Sequence, residues 1–332
     1  MSAKIVTFGE IMLRLSSPDL SKTVQTDEHV AVFGGGEANV AISLAQLGTE
    51  SRFVTRLADD EISTAAVNML QRYGVDTSHV VRGGKRLGLY FLEPGYSIRP
   101  SKVIYDREFS AITEMSPAMV DWEELFEGVD WFHWSGITPA IGTKPRQCVE
   151  MACRTAKQQG VTVSCDLNFR DKLWSEEQAR KAMVPLMNYV DVCIGNPWAV
   201  WKCLGFDPEL PENERYVENF SFLVRNEFDF DSVVMTLRED ISASMNGWST
   251  VMCDSSDCST PYRSTRYEIE VVDRVGGGDS FAASLIYGLL NFSNSIKALE
   301  FATAASVLKL TISGDFNLAQ ESEIIELMEN AS

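Results

Sequence analysis

Basic charge is scarce in this 332-residue chain: 29 Lys and Arg stand against 47 Asp and Glu, a formal net charge of -18. That balance argues against nucleic acid or an anionic membrane as a partner, while leaving room for a small anion held by a local Arg or Lys cluster. Histidine is nearly missing. His29, His79 and His133 are scattered, which disfavours a His-based zinc site or catalytic dyad. The seven cysteines, Cys148, Cys153, Cys165, Cys193, Cys203, Cys253 and Cys258, are odd in number and contain no CxxC pair. They read as reduced, mostly buried thiols of a cytoplasmic protein. No run approaches the ~18 apolar residues that span a bilayer. The first apolar stretch is broken by Glu10 and Arg14 and has no cleavage-like end, unlike a signal peptide. Internal repeats and low-complexity linkers are also lacking.

What is present is a hydrophobic content of 45%, enough to bury one large α/β domain or two smaller ones. The most informative stretch is Asp273-Arg274-Val275-Gly276-Gly277-Gly278-Asp279-Ser280-Phe281. Tyr267 to Val272 alternates like a strand before it, and Phe281 to Leu290 is a small-residue apolar helix after it, so the glycines occupy a strand-to-helix turn. With no side chains in the way, the amides of Gly277, Gly278 and Asp279 can converge on an anion, and the helix dipole favours negative charge there. The same dipole predicts an ionised Asp279. A carboxylate beside an anion cradle suits a base that takes a proton from a hydroxyl while the amides stabilise charge on a transferred phosphoryl group. A Gly-rich turn with an Asp cap is the alternative. The turn has neither the dinucleotide spacing nor the Walker spacing, and no His or Lys is placed as a hydride-transfer acid, which disfavours a dehydrogenase.

A second glycine turn, Phe33-Gly34-Gly35-Gly36-Glu37-Ala38-Asn39-Val40-Ala41, opens an amphipathic helix that closes at Leu47-Gly48. Its glycines allow a polyol to approach the backbone, and Asn39 offers a donor and an acceptor to hydroxyls. From Asp130 onward strands and helices alternate: strand Trp131 to Trp134, helix Pro145 to Gln159, strand Thr162 to Asp166, strand Val190 to Ile194 and strand Ser232 to Leu237. This pattern predicts a parallel sheet covered on both faces. Gly88 to Leu92 and Lys102 to Arg107 read as two strands of a hairpin, and the segment 57–63 reads as a turn before a helix from Ala65 to Tyr73. Asp166-Leu167-Asn168-Phe169-Arg170 follows a strand end, where such sheets bind ligands.

These stretches together resemble the ribokinase-like (PfkB) sugar kinases. Asp273 to Asp279 is similar to the family's second signature, usually Asp-Thr-x-Gly-Ala-Gly-Asp, with Arg274 and Gly277 departing from it. Gly34 to Ala41 resembles the first, Gly-Gly-x-x-x-Asn, and Asp166 to Arg170 resembles Asp-x-Asn-x-Arg. Asn196 begins the family's Asn-x-x-Glu, but Ala199 replaces its glutamate, and Ser63 replaces a glycine of Gly-x-Asp-x-x-Gly. Gly9-Glu10 with Met12 to Leu15, and the set Tyr90, Tyr105 and Arg107, resemble the branch that phosphorylates 2-keto-3-deoxygluconate.

The resemblance implies an α/β ribokinase-like fold, a central mostly parallel sheet with helices on both faces plus a small β-sheet lid. One kinase domain would cover residues 1–332, with lid strands from about 10–33 and 86–109. It further implies ATP-dependent phosphorylation of a sugar acid's terminal hydroxyl, 2-keto-3-deoxygluconate giving the 6-phosphate, with Mg2+ carried by the nucleotide and no metal-binding side chain identified. Asp279 would be the base, Gly276, Gly277 and Gly278 the anion hole, and Arg170 the bridge between substrate and phosphate. Gly34, Gly35, Gly36, Asn39, Tyr90, Tyr105 and Arg107 would bind the sugar acid. Arg14, either a surface residue or a cation for the carboxylate, would join them. Asn168, Asn196, Thr236 and Arg238 would lie along the nucleotide, with Ile312 to Asn317 near the adenine side. The lid's open edge implies a homodimer or higher homo-oligomer. A neutral-sugar kinase for fructose or ribose, and a catalytically weak sugar-acid binding protein suggested by Ala199, stand as alternatives.

Overall fold

The computed structural model describes residues 2–206, 216–254 and 261–331. Cys258 and most of the Ser- and Asp-rich stretch before it lie outside the described residues. In chain order the strands are β1 (Lys4–Phe8), β2 (Met12–Ser16), β3 (Val30–Gly34), β4 (Glu50–Leu57), β5 (Val80–Arg82), β6 (Gly88–Glu93) and β7 (Lys102–Asp106). They continue as β8 (Trp131–Ser135), β9 (Thr162–Asp166), β10 (Val192–Gly195), β11 (Ser232–Asp240), β12 (Met245–Asp254), β13 (Tyr262–Arg263) and β14 (Tyr267–Glu270).

The large sheet has the order β13-β12-β11-β10-β9-β8-β1-β4-β5, with β14 also pairing β12. It is parallel from β5 to β11 and antiparallel beyond. The parallel strands are apolar runs because both faces are covered: β8 and β10 are buried at every residue. Alternation divides their side chains between two layers. Val6, Phe132, Cys193 and Val233 enter one core, and their neighbours Ile5, Trp131, Ile194 and Val234 enter the other. The chain therefore has the expected α/β architecture.

The second sheet has the order β3-β2-β6-β7, with β2 and β6 parallel and the outer pairs antiparallel. The expected hairpin pairs Tyr90 with Tyr105. One expectation shifts. The 57–63 stretch contains a helix start, not only a turn, since the Glu61–Arg72 helix begins where the Asp60 carboxylate accepts from the Ser63 amide at 2.7 Å.

Two consecutive helices, Gly277–Asn291 and Ser295–Leu310, hold the C-terminal glycine turn in place. They pack closely because a Cβ on Gly288 would stand 2.8 Å from the Ala298 Cβ. Gly288→Val should force the pair apart, lowering stability by about 1–3 kcal/mol in urea unfolding.

Candidate active site

The C-terminal turn is built by steric exclusion. Gly276 has φ 86°, and the Asp315 carbonyl oxygen occupies the space a Cβ there would need. Only glycine fits both conditions. The following helix starts at Gly277, and the Ser280 amide donates to the Gly276 carbonyl at 2.8 Å. The amides of Gly277, Gly278 and Asp279 precede that bond and so are free of intrahelical partners. A Cβ on Gly278 would meet nothing within 4 Å, so this side of the helix N-terminus is open to a ligand. Both departures from the family signature have local reasons. A Cβ on Gly277 would press on Leu310 at 2.9 Å. Arg274 reaches the other way, donating to the Ser242 and Ala243 carbonyls at 2.9 Å.

The N-terminal glycine turn meets this one, although some 240 residues separate them in the chain. Asn39 Nδ2 donates to Asp279 Oδ2 at 2.6 Å, and the Gly35 amide donates to Asn39 Oδ1 at 3.2 Å. Asn39 thus orients the candidate base, a role its sequence position alone did not suggest. The glycines also differ from expectation. Cβ atoms on Gly34 and Gly35 would overlap the Asp315 carboxylate and the Glu10 carbonyl, so these two make room for the protein itself. Gly36 faces the cleft, where its Cβ would lie 3.6 Å from Asp279 Oδ1.

Burial governs the electrostatics. Asp279 is raised to about 6, first by desolvation and then by Asp315, against the Asn39 hydrogen bond, Arg170 and Lys309. The helix dipole therefore does not by itself set its charge. Its value near neutrality suits a base that must accept and release a proton. Asp166 is raised to about 7 by burial and by Asp279, with Arg170 opposing. Both Asn168 donors turn back to Asp166, at 3.1 and 3.3 Å, around a left-handed φ of 35°. Arg170 is exposed, and while its carbonyl accepts from the Leu173 amide at 3.0 Å, its guanidinium makes no hydrogen bond or ion pair among the described residues, leaving it available to a ligand beside Asp279.

Glu37 was missed by the sequence reading, though it stands directly after the glycines. Burial raises it to about 7, and its Oε1 accepts from the Ser135 amide, Ser135 Oγ and Thr138 Oγ1 at 3.0, 2.7 and 2.8 Å. It fastens the first glycine helix to the carboxyl end of β8.

The small sheet brings Tyr90, Tyr105 and Arg107 together. The two tyrosine rings lie 5.8 Å apart, and the Arg107 guanidinium lies 5.4 Å from the centre of the Tyr105 ring. Buried Glu10 accepts from Arg107 Nε at 2.9 Å and from its Nη2, and also from Ser110 Oγ at 2.7 Å. Arg107 Nη1 makes no hydrogen bond among the described residues. Tyr90 donates to Asp315 Oδ2 at 2.5 Å, so its hydroxyl keeps only acceptor capacity for a ligand.

Arg14 is neither a surface residue nor a free cation. It is 5% exposed and pairs with Asp273 Oδ2 and Asp315 Oδ1, both at 2.6 Å. Burial alone would lower its pKa, but the carboxylates of Asp315 and Asp273 hold it above its ordinary value. The substrate-carboxylate expectation is corrected accordingly: in this structure Arg14 ties β2 to the segments on either side of the anion turn.

On the other flank, Asn168 and Asn196 follow the carboxyl ends of β9 and β10, while Thr236 sits mid-strand in the adjacent β11, which runs on to Asp240 past the expected end at Leu237. Asn196 caps the Pro197–Leu204 helix by accepting from the Ala199 amide at 2.7 Å, and Ala199 itself is buried in the core. Thr236 Oγ1 donates to the Gly195 carbonyl at 3.3 Å. Arg238 is exposed and pairs with Asp240 at 3.1 Å, a surface contact that nucleotide phosphates would have to displace. Asp315, which the sequence places only in a loop expected near the adenine side, also belongs to the site through Arg14, Tyr90 and Gly276.

Facing glycine turns, a buried carboxylate between them and open helix amides form a site suited to phosphoryl transfer, and similarity to known proteins gives the class, a sugar kinase. The chain belongs to the pfkB family of carbohydrate kinases, whose model matches residues 2–197 and 253–321. Enzymes of this family use ATP. A curated relative, 2-dehydro-3-deoxygalactonokinase of Haloferax volcanii, is 30% identical over 98% of this chain and 96% of its own length. The 2-dehydro-3-deoxygluconokinase of Thermoproteus tenax is also 30% identical, over 94% of this chain and 89% of its own. Among solved structures, 2-dehydro-3-deoxygluconokinase of Thermotoga maritima superposes with a TM-score of 0.96 at 48% identity, covering 99% of both chains. A putative ribokinase II from E. coli, solved with ATP and Mg2+, shares the fold at a TM-score of 0.80 and 19% identity. No helix among the described residues is long and apolar enough to cross a membrane.

Arg14→Met would leave Asp273 and Asp315 buried without their cation. It should cost about 3–5 kcal/mol in chemical denaturation. An effect on substrate KM alone, with stability unchanged, would instead restore Arg14 to the substrate site.

Proposed function

We propose that the protein transfers the γ-phosphoryl group of ATP to the terminal hydroxyl of a 2-keto-3-deoxy sugar acid, giving the 6-phosphate from 2-keto-3-deoxygluconate. The observation that carries the reading is the meeting of the two glycine turns on Asp279, with Tyr105 and Arg107 joined to the same cleft through Glu10. Asp279, oriented by Asn39, takes the hydroxyl proton as the oxygen attacks phosphorus in line. The amides of Gly277, Gly278 and Asp279 receive the charge that develops, and Arg170 neutralises the transferred group from the opposite side. Gly276 supplies the turn that aims those amides.

On the acceptor side, Arg107 Nη1 and the Tyr105 hydroxyl address the substrate carboxylate, with Tyr90 accepting a hydrogen bond and Gly36 leaving room beside the base. A neutral polyol would leave the Arg107 fork unused. Asn168, Asn196, Thr236 and Arg238 line the nucleotide side. Magnesium held by the phosphates would shield their charge. Among the described residues no group of three or more His, Cys, Asp or Glu could hold a metal ion.

The small sheet would act as a lid within one kinase domain, and as the contact between two copies. Ala31, Leu15, Phe91 and Ile104 pair across its four strands in one row, all at least partly exposed. Such a face is a hydrophobic surface in search of a partner. Light scattering of the purified protein should give a dimer or larger assembly, and Ile104→Asp should shift it toward monomer.

A coupled ADP-release assay with ATP and Mg2+ tests the chemistry. Turnover should be confined to keto acids of the gluconate or galactonate series and absent with fructose and ribose; turnover on the neutral sugars would overturn the acceptor assignment. Asp279→Asn should lose about 10²–10⁴-fold in kcat while still binding nucleotide. In the wild type, kcat should fall as pH drops through the range near 6, because the base is active only when deprotonated.

A further inference from the structure

Lys309 is a lysine with no solvent exposure, on the penultimate residue of the Ser295–Leu310 helix. Its Nζ donates to the Ile312 carbonyl at 3.1 Å and to the Asp273 carbonyl at 3.4 Å. Asp273 opens the anion turn, and Ile312 belongs to the loop that carries Asp315. The Lys309 Cε would lie 3.1 Å from a Cβ on Gly276, so the side chain runs directly behind that turn. Burying an ammonium is costly, and an unbranched apolar side chain of similar length would fill the same space without that cost. A fully buried charge in this position needs a reason other than packing.

We propose that Lys309 is a positioning residue for phosphoryl transfer: its ammonium clamps the Asp273 and Ile312 carbonyls and so holds the Gly277, Gly278 and Asp279 amides aimed at the transferred group. Two backbone carbonyls that converge from different segments repel each other unless a cation lies between them. Drawing both toward Nζ fixes the backbone behind the turn, which leaves the N–H groups in front aimed at the transferred group. The charge also acts on the site as a whole. Lys309 favours the ionised form of Asp279, together with Arg170 and the Asn39 hydrogen bond, while Asp315 opposes it. Lys309 itself is held below its ordinary pKa by burial, with Arg14 adding to that and Asp273, Asp315 and Asp279 resisting it.

The test is kinetic, on the full chain and with whichever acceptor the wild type phosphorylates, so it does not depend on the sugar-acid assignment. Lys309→Met should keep the sugar KM within about twofold and lower kcat by roughly tenfold or more. Its acid limb should move to higher pH, because one positive charge near Asp279 is gone while Arg170, Arg14, Asp315 and Asp166 remain. Ammonium chloride, small enough for the single-atom gap where Nζ stood, should restore part of kcat and return the limb. Tetramethylammonium, too large for the gap, should do neither. A folded variant with kcat near wild type, or one with reduced kcat but an unmoved limb and no rescue, would overturn the proposal. If the methionine variant does not fold, Lys309→Gln, which keeps a donor group but removes the charge, takes its place on the pH profile alone: its acid limb should move to higher pH, and an unmoved limb would overturn the proposal. Failure of both to fold would assign Lys309 to the stability of the fold and also overturn the proposal.

Discussion

The buried pairing of Arg14 with Asp273 and Asp315 is the contact on which the rest of the cleft depends. It joins a strand of the small sheet, the entrance to the anion turn and the C-terminal loop, three segments otherwise remote in the chain. Desolvating one guanidinium and two carboxylates is tolerable only because each finds an opposite charge at 2.6 Å. Tyr90 and the Gly314 amide add further donors to the same carboxylates. The geometry around Asp279 follows from this, since Asp315 also presents its carbonyl to Gly276 and its carboxylate to Gly34.

A consequence is that the acceptor and phosphoryl sides share supports. Glu10 holds Arg107 through its carboxylate while its own carbonyl abuts Gly35. Tyr90 reports to Asp315, which packs under both glycine turns. A ligand that rearranges Arg107 or Tyr90 therefore acts on groups that also shape the anion turn. The small-sheet residues and the anion turn are thus linked through packed, charged contacts.

Catalytic character comes from competition between burial and polar support. Asp279, Asp166 and Glu37 are all pushed upward by desolvation, and each is drawn back by a different partner: Asn39, Arg170, or the Ser135 and Thr138 hydroxyls. The result is a cleft whose carboxyl groups sit near neutrality, where protons move at little cost. A helix N-terminus alone would have lowered Asp279; the enclosing walls reverse the sign.

Much of this was legible in the sequence because it is written locally. Glycine runs that open helices, apolar strands in β/α alternation and an Asp one residue past a glycine turn are short-range patterns. They sufficed for the α/β architecture, the family and Asp279 as the candidate base. The hairpin of Gly88 to Leu92 and Lys102 to Arg107 was legible in the same way, while its register, Tyr90 opposite Tyr105, came only from the structure. What the sequence could not decide was partnership across long separations. Whether Arg14 meets a ligand or two aspartates more than 250 residues away depends on which segments the folded core brings together. The same holds for Asn39 serving Asp279, for glycines made necessary by Asp315 and Glu10, and for Lys309 without solvent behind the turn. Burial and the long-range partners set those charges, and both exist only once the tertiary structure has closed.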